Sequence, residues 1–186
     1  MKNHLYVPTL LIIMLMANFD GKTQGSNDVP LTIRTSPRPE TTTNIPHIQI
    51  DIEPVPEVHR SLFERVYSIN GIENRPSIIS LPGARSMWLK EELSLKHPEV
   101  IVSGREFAHI HPDGSLHIAL SPERALEAVE AGWATYHPFS QRKGWEGFVM
   151  LYTPQSMEEL NVTFQLIVDG YNFVTGQKIK ATDYYD

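Results

Sequence analysis

Apolar residues recur at two different periods along this chain, and the switches between them outline its elements. Val58, Leu62, Val66 and Ile69 are spaced by four, four and three, the stripe of an amphipathic helix. Asn70-Gly71 then reads as a left-handed cap that stops it. PSIISLPG (76–83) and ARSMWLKEEL (84–93) read as two short strands, or as a strand and a turn. Residues 105–111 and 115–120 alternate with a period of two around a turn. Ser121-Pro122 opens a second helix, since serine caps and proline suits the first helical position, and Gly132 closes it. EGFVMLYTP (146–154) is apolar almost throughout, as a central strand should be. Ser156 and Glu159 then form a capping box ahead of Met157, Leu160, Phe164, Ile167, Tyr171 and Val174, and this helix closes near Gly176. The order predicts an α+β domain over 57–176, with a mostly antiparallel sheet and helices packed on one face.

The hairpin is the most informative stretch. His111-Pro112-Asp113-Gly114 is a type I turn signature, with proline at the second position and glycine at the left-handed fourth. That turn opposes His109 to His117, Ile110 to Leu116 and Ala108 to Ile118. One face then carries Ala108, Ile110, Leu116, Ile118 and Leu120, and burial of that face fixes the register. The other carries Phe107, His109, His111, Ser115, His117 and Ala119. The Cβ atoms of His109 and His117 should lie ~5 Å apart. Three imidazoles so placed are compatible with a nitrogen ligand set for a zinc- or iron-like ion. They equally suit general acid–base and ligand-binding work near neutral pH. The remaining reading is a solvated hairpin face.

Further candidates surround the hairpin. His137 in GWATYHP either folds back as a fourth histidine or caps the preceding helix. Arg105 and Glu106 either orient a substrate or form a salt-bridged strand start. The register points Glu106 to the apolar side, where a buried carboxylate needs a partner such as Arg85 or Arg124. Phe107, Trp133 and Tyr152 are candidates for stacking a ligand, beside the reading of core or rim aromatics. Asn161 opens a glycosylation sequon on a predicted helix. His4, His47, His59 and His97 belong to no visible constellation.

Composition narrows the function classes. The chain of 186 residues has no cysteine, which removes disulfides, thiolate metal sites and cysteine nucleophiles together. A net charge of −6 and the absence of a phosphate-binding loop argue against a nucleic-acid partner. A small molecule is the expected partner. Leu5 to Phe19 is an apolar run behind Lys2. It is shorter than the ~20 residues of a spanning helix, so residues 1–21 read as a signal peptide, with a signal-anchor as the rival. The product is thus expected to be secreted or extracytoplasmic, or held to a membrane by this segment alone. Residues 22–56 hold Pro30, Pro37, Pro39, Pro46, Pro54 and Pro56 among Thr, Asn and Ser, and read as a largely disordered linker. The alternation Ile48, Ile50, Ile52 offers one edge strand there, and 177–186 reads as a tail.

Four segments together resemble a known family. R-E-x-A-H-x-H (105–111), L-H-x-x-L (116–120), G-W-x-x-x-H-P (132–138) and Y-x-P (152–154) are similar to the luciferase domain of fungal luciferases and its microbial relatives. The likeness runs over about 58–176. It implies oxygenation of a hydroxypyrone-like or phenolic molecule by molecular oxygen, with no added organic cofactor. It also implies that Arg105, Glu106, His109, His111, His117, Trp133 and His137 are the positions to weigh as site residues. Two departures stand out. The turn between the histidine strands is the compact PDG where the family has a longer one, and Ala-Thr-Tyr follows Trp133 where Gly-x-Arg is commoner. Two further readings stay open beside the enzyme: a secreted, non-enzymatic module that binds through the same face, and a histidine-bound divalent metal site.

Overall fold

The first helix, α1 (Pro56–Ser68), starts on proline at its first position and buries Val58, Leu62 and Val66, the stripe its spacing predicts. The structure is a computed structural model that describes residues 29–185, so the expected leader over 1–21 lies outside the described residues. The end of α1 differs from expectation. Ile69 leaves the helix in extended backbone, with φ −66° and ψ 114°, and no left-handed cap forms at Asn70-Gly71. Gly71 is there for space instead: a Cβ would sit 2.2 Å from the hydroxyl of Tyr171.

The first strand also falls earlier than predicted. β1 (Ile72–Pro76) pairs with β2 (Arg85–Leu89), and residues 77–83 between them are a loop. In β1 only Ile72 is buried, so no apolar period marks it. It is an edge strand, a position in a sheet that tolerates Pro76. The hairpin is β3 (Glu106–Ile110) with β4 (Leu116–Ala119). Helix α2 (Pro122–Glu130), strands β5 (Ala134–Tyr136) and β6 (Phe148–Leu151), and helix α3 (Met157–Thr175) complete the fold. The six strands form one sheet in the order β1-β2-β3-β4-β6-β5, and every pair is antiparallel. The fold is thus α+β.

One face of the sheet is the core. Met87, Ala108, Ile110, Ile118 and Val149 meet Leu62 and Val66 of α1 and Phe164, Ile167 and Tyr171 of α3 in a single apolar cluster. α3 approaches β4 so closely that a Cβ on Gly170 would lie 2.6 Å from Cδ1 of Ile118. Ser156 accepts the Glu159 N–H as predicted, and Gly176 ends α3 at φ 76°. The Glu159 carboxylate, however, does not complete the box. It accepts the N–H of Gln155 and turns to an arginine from the N-terminal segment.

That segment corrects a second expectation. The proline-rich stretch read as a disordered linker packs on the domain from residue 29 onward. The Leu31 N–H donates to Glu127, the Arg34 N–H to the Ala131 carbonyl, and the Trp133 indole to the Thr32 carbonyl. Arg34 is buried between the rings of Trp133 and Tyr152, 5.4 and 5.6 Å from their centres. Gln49 clasps Thr153 through both ends of its amide. No edge strand forms over Ile48–Ile52: Thr41 and Gln49 make an isolated bridge, and Ile50 is exposed. Proline did forbid a ladder, but polar side chains and carbonyls supplied the anchoring that a strand would have given. This strap and the 77–83 loop lie over the sheet face that the helices leave open.

Candidate functional site

The turn and register of the β3–β4 hairpin follow the sequence. Gly114 takes φ 84°, its N–H donates to the His111 carbonyl, and His109 opposes His117. The histidine face is not wet. His109, His111 and His117 are 4%, 2% and 5% exposed, which excludes the solvated-face reading. His137, at the end of β5, is the fourth histidine rather than a helix cap, with its ring centre 4.5 Å from that of His117. The strap adds a fifth, His47, whose ring stacks on His117 with centres 5.2 Å apart. Sequence reasoning missed it: it lies 70 residues from His117 in a stretch with no periodicity to read.

A bulge decides the neighbours of this cluster. Met87 opposes Ala108, but Trp88 opposes Glu106, so Phe107 is the extra residue on β3. Alternation therefore flips at Phe107. Its ring turns to the helix side against Tyr171, and it is core, not a ligand contact. Glu106 turns to the histidine face, against the predicted side. Its partners are not arginines: Oε1 lies 3.0 Å from Nδ1 of His109 and accepts the Ser77 hydroxyl at 2.6 Å, while Oε2 accepts the Ile78 N–H at 3.0 Å. Burial raises the pKa of this carboxyl, but the bonds from His109, Ser77 and Ile78 outweigh it and the net shift is downward. One carboxylate thus ties the 77–83 loop to the histidines.

Hydrogen bonds fix the tautomers. Nδ1 of His109 faces Oε1 of Glu106 at 3.0 Å, though off the line of a regular hydrogen bond; with the proton on that side, where the carboxylate draws it, Nε2 accepts from Nδ1 of His117, 3.0 Å away. Nε2 of His117 then accepts from Nδ1 of His47 at 3.1 Å. His111 Nδ1 lies 3.0 Å from the Ser115 hydroxyl, which itself donates to Asp113 at 2.8 Å. The hydroxyl oxygen therefore accepts from Nδ1, and Nε2 of His111 is a lone pair, buried and without a hydrogen-bond partner. His137 Nδ1 accepts the Phe139 N–H at 3.0 Å, so its Nε2 bears the proton. Burial, then the neighbouring imidazoles, push His111 down to about 3 and His117 well below its ordinary value. The same causes bring His137 to about 4, and burial lowers His47.

These rings floor a cavity of about 340 Å³. Its walls are apolar: Ile45 and Pro46 from the strap, Ile79 and Leu81 from the 77–83 loop, Phe139 and Phe148 from the β5–β6 side. Two triads have ligand atoms close enough together to share an ion, His109–His111–His117 and His47–His117–His137. Several expected contacts lie elsewhere. Arg105 donates to the carbonyls of Leu89, Lys90 and Leu93 and shapes the backbone before β3. Trp133 and Tyr152 hold Arg34 and do not line the cavity. Asn161 sits on α3 with its side-chain oxygen bonded to Arg65 at 2.6 Å.

The family described as Luciferase domain matches residues 104–168. The luciferase of Armillaria gallica is 27% identical over 161 residues, 76% of this chain and 60% of its own length. Those of Armillaria mellea and Neonothopanus nambi are 32% and 31% identical over 46% and 42% of the chain, and the match covers 34% and 32% of their lengths. The chain thus spans less than two thirds of the relatives it matches. No solved structure matches it.

Proposed function

We propose, from the match of residues 104–168 to the Luciferase domain family, that the histidine pocket is the reactive site of an oxygenase for a small, electron-rich phenol or pyrone. Molecular oxygen is the co-substrate, and the substrate itself supplies the electrons, so no organic cofactor is required. The observation that carries this reading is the free lone pair on Nε2 of His111. A hydroxyl of the substrate donates to it. Proton transfer breaks the O–H bond, forms N–H, and leaves an oxyanion whose ring carbon is rich enough to take up oxygen. A bare imidazolium would be costly here, since burial holds the pKa near 3. The pair formed with the oxyanion is neutral overall, and its mutual attraction offsets part of that cost. Nε2–H of His137 is placed to donate to a substrate oxygen, as electrostatic stabilisation requires.

Size and polarity support the same substrate class. A cavity of ~150 Å³ holds benzene, so about 340 Å³ suits a molecule of one or two rings between apolar walls. Among the described residues no helix is long and apolar enough to cross a membrane. An extracytoplasmic or membrane-held location therefore rests on the apolar run at 5–19 alone. The test supplies hydroxypyrones and simple phenols with oxygen, and follows oxygen uptake together with light emission. Uptake that disappears in His111→Gln supports the reading. Undiminished uptake in that variant rejects it. Saturable binding with no uptake for any candidate assigns the pocket to a non-enzymatic binding module.

A further inference from the structure

We propose that His109, His111 and His117 hold a divalent first-row transition-metal ion at the floor of this pocket. The three ligand nitrogens lie within 4.8 Å of one another. Nε2 of His109 and Nδ1 of His117 are 3.0 Å apart, close to the ~3.0–3.4 Å that bonds of ~2.1 Å impose on neighbouring nitrogen ligands. The third corner is Nε2 of His111, a buried nitrogen with no hydrogen-bond partner. An ion satisfies it.

The outer nitrogens make the stronger argument. A metal-bound imidazole needs an acceptor for its remaining N–H, and that acceptor orients the ring. His109 has Glu106 at 3.0 Å, and His111 has the Ser115 hydroxyl at 3.0 Å, backed by Asp113. Ligation through Nδ1 would shift the His117 proton to Nε2, which then donates to Nδ1 of His47 at 3.1 Å, the His47 proton moving to its own Nε2. The three rings thus each have a dedicated partner from a different element: β3, the turn, and the strap. The carboxylates of Glu106 and Asp113 offset the charge that three neutral imidazoles leave uncompensated. The rival triad fails this test, because Nδ1 of His137 is occupied by the Phe139 N–H and its Nε2 keeps the proton.

An all-imidazole set without thiolate selects zinc, iron, copper or nickel over magnesium or calcium. Three protein ligands leave a coordination position open toward the cavity, where a substrate oxygen is held as its anion. The inference rests on the proposed function in taking this pocket as the place where that oxygen arrives; with an ion bound, Nε2 of His111 would be its ligand rather than the base, and the ion would stabilise the oxyanion while the hydroxyl proton passes to water.

The experiment uses the full chain without a histidine tag, stripped with a chelator and titrated with Co²⁺ and Zn²⁺ in the absence of substrate. One equivalent of Co²⁺ with visible ligand-field absorption, and a melting temperature raised by Zn²⁺, are expected. His111→Ala and His109→Ala lose both signals, with His111→Gln as the substitute if the alanine variant fails to fold. His137→Ala keeps them, and Glu106→Gln weakens binding by ~10–100-fold. Absence of binding, or binding that survives in the His111 variants, overturns the inference. Ion binding without oxygen uptake defeats the oxygenase reading alone. Full oxygen uptake by the stripped protein defeats the metal alone.

Discussion

Arg34→Ala tests whether the strap is part of the folded domain. The Arg34 guanidinium lies 3.2 Å from Oε2 of Glu159, and the two side chains are 3% and 11% exposed. Removing one member of a buried ion pair costs ~3–5 kcal/mol, because the other charge stays buried without its partner. Glu159 would keep the Ser36 hydroxyl and the Gln155 N–H, which places the loss near the low end, at about 3 kcal/mol. For a chain of this size that corresponds to a fall of ~6–12 °C in melting temperature. Urea unfolding followed by circular dichroism measures it, with Arg34→Lys as the milder control that keeps the charge but loses the planar stack on Trp133 and Tyr152. Limited proteolysis should show new cleavage between 29 and 53 in Arg34→Ala. A loss under ~1 kcal/mol, within the range of an exposed ion pair, with no new cleavage, would refute the account of the strap as anchored.

Three further outcomes follow from the same geometry. In ion-free protein, His111 has a folded pKa of about 3 against 6.5 for the free side chain, so the unfolded chain takes up the proton first. Stability present above pH 6.5 is lost as pH falls toward 3, by ~3 kcal/mol over the first two units; His111→Gln, compared by urea unfolding at pH 7.5 and 4.5, should lose correspondingly less. Arg105→Ala removes three bonds to backbone carbonyls and should lower stability by ~2 kcal/mol, while oxygen uptake per folded molecule stays unchanged; a selective loss of turnover would return Arg105 to the site. Gly170→Ala places a Cβ 2.9 Å from the Ala119 carbonyl oxygen and should cost ~1–3 kcal/mol, read as a lower denaturant midpoint; an unchanged midpoint would show that α3 can shift away from β4.

What the sequence made legible had local causes. The hairpin register was readable because PDG fixes the turn and every aliphatic residue sorts to one side. α2 and α3 were readable from Ser121, Ser156 and Gly176, whose roles at the helix ends depend on backbone chemistry alone. Three histidines of the site came with the hairpin, and His137 with its neighbourhood. Three features were not readable, each for a long-range reason. β1 buries one side chain and so has no period. The bulge at Phe107 depends on β2, and it exchanged the faces expected for Phe107 and Glu106. His47 reaches the site only because Arg34 and Gln49 find partners 125 and 104 residues away, which no local pattern encodes.

The pocket is therefore assembled from separable parts. Four of its histidines stand on the strands and turn inside residues 104–168, while His47, Ile45 and Pro46 arrive on a strap that is itself neither helix nor strand and is held by bonds such as Arg34–Glu159 and Gln49–Thr153. Reactivity and selectivity are consequently encoded in different stretches of chain. Exchanging Ile45 and Pro46 while keeping Arg34, His47 and Gln49 would rewrite one wall of the cavity and leave its floor and the anchors of the strap intact. Such a chain can acquire a new substrate by loop replacement, without disturbing the core that lets it fold.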